Sequence, residues 1–375
     1  MIPSRKANTV SVMNTCSQLA KHDIDLELIV PRGKANLTRK LLRGGSVWDF
    51  YGVPKNFKIT YIPIPFFCSP LRYIAYPTLA VSYAVHRGRS LIYSRYIGPA
   101  YLAAVYGRMS IFECHSYLRV SKHPILPLWI RMLRNPARRV AMVVTTHAGA
   151  RAYEARGAPP ERMLVAPNGV EAQRFFLSRS KATIRTSLGL PRSKTIVGFS
   201  GHLYKGRGVE ELLQCAKLLD QVFFLIVGGE PNDVYRYRSQ AQELGLSNVE
   251  FTGFVPQLSV PSYLLASDIL VMPYTSATLM HDYISPMKMF DYLASGRPIV
   301  ATDFPVFREV LQDRRNAVIV ERDSGRALAS GIQWLLDHPE FTRKLAEQAR
   351  RDAEQYSWEN RGRRIVLWFK GMFNL

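Results

Sequence analysis

In this sequence of 375 residues, the side chains best suited to chemistry fall in two short stretches. The first is SPMKMFDYLASG, residues 285–296. Ser285 is a good helix N-cap, Pro286 suits the first helical position, and Gly296 suits a left-handed stop. Met287, Phe290 and Ala294 fall on one apolar face, with Lys288 and Asp291 on a polar face at i,i+3 spacing. A helix entered from a strand and a loop turns its free N–H groups and positive dipole end toward the rim of the sheet. That end suits a phosphate. Asp291 lies roughly 7.5 Å deeper at about 1.5 Å per residue, where a carboxylate can take a ribose diol. The plainer alternative is a surface Lys–Asp pair on a capped helix.

The second stretch is GHLYKGRG, residues 201–208, again between a strand end and a helix start. It misses the P-loop pattern, because Gly206-Arg207-Gly208 stands where Gly-Lys-Ser/Thr is needed. Without that hydroxyl there is no evident Mg²⁺ ligand, which disfavours an NTPase. Lys205 and Arg207 beside a glycine-rich turn still suit a diphosphate. The alternative is a turn with solvated charges.

The surrounding elements are what must position these groups. In the second half, short apolar runs alternate with helical patterns: TIVGFS (195–200), VFFLIVG (222–228), VEF (249–251), ILVMP (269–273), PIVA (298–301) and NAVIV (316–320). Strands without polar alternation, each followed by a helix, predict a parallel sheet covered on both faces. The first half shows the same alternation more weakly, at residues 26–31, 58–63, 90–94, 110–113 and 141–146. There a helix at 9–21 comes before any strand, whereas a doubly wound domain opens with a central strand. The expectation is a start upstream of Met1 or a domain that does without that strand. The domains are expected at 1–177 and 178–356, with a last helix at 357–375 completing the first.

Composition narrows the classes. The chain has 50 Lys plus Arg against 29 Asp plus Glu, a formal charge of +21, with 47% apolar residues. That apolar share builds real cores and excludes a disordered polycation. Residues 1–170 hold 24 basic and 7 acidic side chains, so an anionic partner is met mainly by the first half. Cys16, Cys68, Cys114 and Cys215 lie far apart, which excludes a zinc finger or disulfide scaffold and suits a reducing cytoplasm. The start lacks the apolar core of a signal peptide. The greasiest region, 61–85, is interrupted by Arg72 and four prolines, which argues against a spanning helix.

Both loops occur, in order, at strand ends of one α/β half, and there the sequence is similar to the retaining sugar-nucleotide glycosyltransferases of family 4. The resemblance runs over most of the chain, most clearly at 197–208 (VGFSGHLYKGRG), 248–254 (NVEFTGF), 267–274 (SDILVMPY), 285–303 and 165–175 (VAPNGVEAQRF). It implies the α/β GT-B fold, two Rossmann-like doubly wound domains facing a central cleft. Carried over by position, Arg207 falls on the family's Lys that contacts the donor diphosphate. His202 falls on its usual Arg, with Lys205 as a compensating cation. Asp291 falls on the second Glu of the paired-Glu motif, the ribose contact, while Tyr283 stands where the first Glu is expected, beside Asp282. Gly201, Ser285, Pro286, Met287 and Lys288 complete the donor side, and Gly253, Phe254 and Val255 match the segment beside the base. His115, in Glu113-Cys114-His115-Ser116, resembles the family's cleft histidine. Arg5 and Arg95 are acceptor-side candidates.

The resemblance further implies transfer with retention from a UDP- or GDP-sugar, without a metal or other cofactor. Fixed cations would stabilise the departing diphosphate, and closure of the domains would limit hydrolysis. In the basic half, Phe66-Phe67, Leu71-Arg72-Tyr73 and residues 126–134, with Arg138-Arg139 beyond, mix cations with large apolar groups. That mixture suits an anionic bilayer surface. The expectation is a cytoplasmic enzyme, peripheral at the inner membrane face, acting on a lipid-linked or polysaccharide acceptor. The plainer reading is a basic surface around a site for a soluble acceptor. A nucleotide-binding protein without transfer activity is one alternative. A basic nucleic-acid binder is the other, though no RNP, KH or helix-turn-helix pattern supports it.

Overall fold

A computed structural model describes residues 2–32, 41–42, 44–63, 69–278 and 282–375, with the backbone alone at 69–73. They divide into two units: Met1–Asn168, Asp282–Ser285 and Trp358–Leu375 form the first, Gly169–His281 and Pro286–Ser357 the second.

The strands of the first unit are β1 (Glu27–Pro31), β2 (Lys58–Ile62), β3 (Leu91–Ser94), β4 (Met109–Cys114), β5 (Val140–Val144) and β6 (Met163–Val165). All pairings are parallel, but they form two sheets, β1-β2 and β3-β4-β5-β6. The helix Ala7–Leu19 comes first, and no strand precedes it among the described residues. The five-residue run of β5 is buried throughout, and period-two alternation sends its side chains to two cores. Val140, Met142 and Val144 meet Trp129, Ile130 and Leu133 on one face. Ala141 and Val143 meet Ile365, Val366, Phe369 and Phe373 of the terminal helix Trp358–Phe373 on the other. At about 1.5–3 kcal/mol for each fully buried side chain, that helix is part of the first unit's core.

The second unit holds β7 (Ile196–Ser200), β8 (Phe223–Val227), β9 (Val249–Gly253), β10 (Ile269–Met272), β11 (Ile299–Thr302) and β12 (Val318–Val320). Its sheet has the order β12-β11-β10-β7-β8-β9, every pair parallel. On β8, Phe224 and Ile226 join one core while Leu225 and Val227 join the other, so the sheet is covered on both faces. The chain winds outward from β7 to β9, then crosses over and winds outward again from β10 to β12. The ends of β7 and β10 therefore flank a topological switch point, where such sheets bind ligands.

Two expectations need correction. The division falls at 168/169 rather than 177/178, because the Val170 N–H donates to the Tyr356 carbonyl at 2.9 Å and Arg350 lies over the Phe176 ring at 4.5 Å. Those contacts tie residues 169–177 into the second unit. The apolar residues of 126–134 are not a membrane-facing stripe either. Leu126, Trp129, Ile130 and Leu133 point into the core, with Trp129 fully buried, while Leu128 is the large apolar side chain left exposed. Phe66, Phe67 and Cys68 lie outside the described residues, as do the side chains of Leu71, Arg72 and Tyr73. No helix among the described residues is long and apolar enough to cross a membrane.

Candidate functional site

At the end of β7 the chain enters the loop 201–208, and at the end of β10 it enters 273–278. The two loops are locked together by close backbone approach. A Cβ at Gly208 would lie 1.6 Å from the Pro273 carbonyl oxygen, and one at Gly206 would lie 2.5 Å from the Thr278 nitrogen. The Gly206 carbonyl accepts from the Thr275 N–H at 3.1 Å and from the Thr278 hydroxyl. The Gly-rich pattern is thus explained by loop-on-loop packing, and both glycines have the positive φ that favours them.

That packing brings two cations to one ring. The Arg207 guanidinium lies over Tyr274 at 4.6 Å from the centroid. The Lys288 ammonium, on the second residue of the helix Met287–Ser295, lies 5.3 Å from the same centroid and 3.7 Å over Phe199. The Lys288 Nζ is shielded from solvent and has no hydrogen-bond partner among the described residues. Burial, and then Arg207, pull its pKa well down. Gly201 makes room for it, since a Cβ there would lie 2.9 Å from Nζ. An ammonium shielded from solvent beside a guanidinium, with no hydrogen-bond acceptor for it among the described residues, makes this rim of the sheet strongly cationic.

The helix start differs in detail from expectation. Its N-cap is Pro286, without a side-chain cap. The Ser285 hydroxyl instead accepts from the Asn168 N–H at 3.1 Å, and the Ser285 carbonyl accepts from the Asn168 amide at 2.7 Å. Met287 is half-buried and opens the helix. Lys288 makes no ion pair with Asp291 among the described residues. Its i,i+4 neighbour Tyr292 faces the same way, accepting from the Ser200 N–H at 2.8 Å and pinning the helix to the end of β7. Asp291 is half-buried, and burial raises its carboxyl to about 7 against the pull of Arg174.

The remaining donor-side candidates divide. His202 stacks on Tyr204 at 4.8 Å and 5°, and burial lowers its pKa, so it is neutral at pH 7. Lys205 is exposed and makes no hydrogen bond or ion pair among the described residues. Gly253 ends β9 at φ +70°, its carbonyl accepting from the Gly228 N–H at 3.0 Å. Phe254 is exposed, and Val255 packs on the Ile184–Leu190 core. Tyr283 and Ser285 belong to the first unit, where Tyr283 meets Tyr117 at 4.5 Å.

In that first unit, Arg95 and His115 follow the ends of the adjacent strands β3 and β4, and Arg5 precedes the Ala7–Leu19 helix. The Arg95 guanidinium donates to the Asn8 carbonyl at 2.8 Å. His115 Nε2 bonds the Glu113 carboxylate, which also pairs with Arg361 at 2.9 Å.

The family description "Glycosyl transferases group 1" matches residues 180–352, and "Glycosyltransferase Family 4" matches residues 9–174. The chain belongs to the family 4 glycosyltransferases. Among curated relatives, the chain is 26% identical over 224 residues to a D-inositol 3-phosphate glycosyltransferase of Corynebacterium urealyticum, covering 56% of this chain and 51% of that one. It is 24% identical over 213 residues to an alpha-galactosylglucosyldiacylglycerol synthase of Streptococcus pneumoniae, covering 55% and 54%. The chain thus spans about half the length of the curated relatives it matches. Anabaena Alr3699/HepE, solved in complex with UDP, superposes with a TM-score of 0.76 over 98% of both chains at 17% identity, which shows the GT-B fold.

Three side chains escaped the sequence reading, Phe199, Tyr274 and Tyr292, as did the burial of the Lys288 ammonium. Tyr292 was findable, because i,i+4 spacing from Lys288 puts it on the same face. Phe199 read as a strand residue and Tyr274 as the start of a loop, and their use as ring platforms is set by tertiary packing.

Proposed function

We propose that this glycosyltransferase moves a sugar from a UDP- or GDP-sugar to an acceptor hydroxyl with retention of configuration and without a metal ion. The observation that carries the reading is the shared Tyr274 ring. It brings the Arg207 guanidinium and the unpartnered Lys288 ammonium together at the start of the Met287–Ser295 helix. In transfer, the bond from the anomeric carbon to the diphosphate breaks and negative charge collects on the leaving group. Two preorganised cations and a helix N-terminus are aimed at that charge. Asp291, one turn along, is then the ribose partner, and Lys288 takes the part expected of Lys205. Transfer on one face needs no second carboxylate of the kind glycosidases use.

A lipid-linked or glycan acceptor agrees with the names of the relatives, one of which is a glycolipid synthase. Attachment at the inner membrane face would rest on exposed cations such as Arg131, Arg134, Arg138 and Arg139 rather than on an apolar stripe. The neutral His202 favours a second reading, a nucleotide-binding protein without transfer activity. A thermal-shift panel of UDP-, GDP- and ADP-sugars, followed by a turnover assay on the best ligand, tests both. A ligand at 100 times its Kd adds about 2.7 kcal/mol to native stability. Absence of any shift would reject the donor site, and a shift without transfer or hydrolysis would favour the second reading.

A further inference from the structure

Beneath the histidine of the first unit lies a buried charge cluster that the transfer reading does not use. Glu113 and Arg361, 248 residues apart in sequence, are both buried, at 1% and 4% exposure. The Glu113 carboxylate receives three donors: the Tyr93 hydroxyl on Oε2, and Arg361 Nη2 and His115 Nε2 on Oε1. The guanidinium is pinned in turn. Its Nη1 donates to the Thr15 hydroxyl at 3.0 Å and its Nε to the Pro167 carbonyl at 2.9 Å. The first helix, the end of β4 and the terminal helix all meet at this pair.

We propose that Glu113 and Arg361 are positioning residues that hold His115 as the Nε2–H tautomer, with the Nδ1 lone pair presented to a substrate hydroxyl. A guanidinium does not give up its proton, so the carboxylate it pairs with stays ionised and can only accept. The hydrogen between His115 and Glu113 therefore sits on Nε2. The charged groups around the ring are Glu113, Arg95 and Arg361. Burial and Arg95 outweigh Glu113 and hold the imidazole neutral down to about pH 4. Nδ1 is left with a lone pair and no protein partner among the described residues, on a side chain that is 20% exposed. An acceptor nitrogen pairs with a hydroxyl and repels a phosphate oxygen. The class of group facing His115 is thus a sugar or acceptor hydroxyl, and that last step alone rests on the transferase reading.

The test uses the full chain with ¹⁵N-labelled histidine. Long-range ¹H–¹⁵N correlation of the resting protein at pH 7 is expected to find His115 protonated on Nε2 and bare on Nδ1. An Nδ1–H tautomer or an imidazolium would overturn the proposal. Glu113→Gln is expected to mix the tautomers and lower kcat by about 10- to 100-fold at unchanged KM for the nucleotide-sugar, the scale of a lost orienting partner. An unmixed Nε2–H spectrum in that variant would remove Glu113 from the role. Because Glu113→Gln strands a buried guanidinium, Arg361→Lys is the second variant; it keeps the charge, gives up the Thr15 and Pro167 bonds, and is expected to move both readouts less. His115→Asn keeps an acceptor near Nδ1 and His115→Gln does not. Asn is expected to retain about tenfold more activity, and equal or reversed activities refute the hydroxyl assignment. The expected resting spectrum with no turnover of any nucleotide-sugar counts against the transferase reading alone.

Discussion

Replacing Asp291 with Asn should make the protein both more heat-stable and a poorer nucleotide binder. Burial raises the Asp291 carboxyl from 3.8 to about 7. A carboxyl with a folded-state pKa above its unfolded value binds extra protons in the native state, so native stability falls as pH rises through 3.8 to 7. Above 7 the cost is complete, on the order of 4 kcal/mol at about 1.36 kcal/mol per unit. Asn removes the titration. At pH 8 the variant should gain about 2–4 kcal/mol, and at pH 3.5 almost nothing. For a unit of about 185 residues, where roughly 2–4 °C accompany each kcal/mol, Tm should rise by about 5–15 °C at pH 8. Ribose hydroxyls bind an ionised acceptor more strongly than an amide oxygen, and a bond to a charged group is worth about 1.5–3 kcal/mol. UDP affinity should therefore drop by roughly 10- to 150-fold. Calorimetric melts at pH 3.5 and 8, with and without UDP, read both effects, and titrations in buffers of different ionisation enthalpy count the proton released on binding. Equal pH slopes for the two proteins, or unchanged UDP affinity in the variant, would refute the reasoning.

Lys288→Met should behave alike for the opposite charge. Replacing a buried, unpartnered ammonium with an apolar group of similar shape should stabilise the free protein by about 1–4 kcal/mol at pH 7, while isothermal titration finds UDP binding reduced at least tenfold. Gly208→Ala places a Cβ 1.6 Å from a carbonyl at φ +78° and should cost more than about 3 kcal/mol in denaturant melts. Gly253→Ala, at φ +70° with open space around it, should cost only about 1 kcal/mol. In flotation with anionic vesicles, exchanging Arg131, Arg134 and Arg138 for Gln should weaken attachment by about 1 kcal/mol per side chain. Leu128→Ala should change it little, since its apolar neighbours are core.

The parallel sheet of the second unit was legible because each buried strand is a continuous apolar run: Ile196–Ser200 and Ile269–Met272 have no polar alternation to misread. The loop that carries Arg207 and the helix that carries Lys288 were legible from turn and capping chemistry. What the pattern hid was direction. Lys288 turns with Tyr292 toward β7 rather than pairing with Asp291, and only the rings of Phe199 and Tyr274 decide that. Residues 126–134 misled for a related reason. Alternating Arg and Leu describe a core-facing helix and a bilayer-facing helix equally well, and the outcome depends on the cavity that Phe112 and Tyr153 leave for Trp129. Short β6, Met163–Val165, was missed. The Glu113–Arg361 pair carries no local signal at all, being a contact between distant parts of the chain.

That distance has a consequence for how the protein is made. A ribosome adding about 5–20 residues per second emits Arg361 roughly 10–50 seconds after Glu113. Throughout that interval the carboxylate lacks its Arg361 ion pair, and one face of β4 and β5 lacks the terminal helix. The first unit to begin is therefore the last to be sealed, since the residues of the six-stranded unit end at Ser357, just before the terminal helix begins. Nascent chains halted before residue 361 should keep the early unit open to protease and chaperone, and resumed synthesis through the terminal helix should close it.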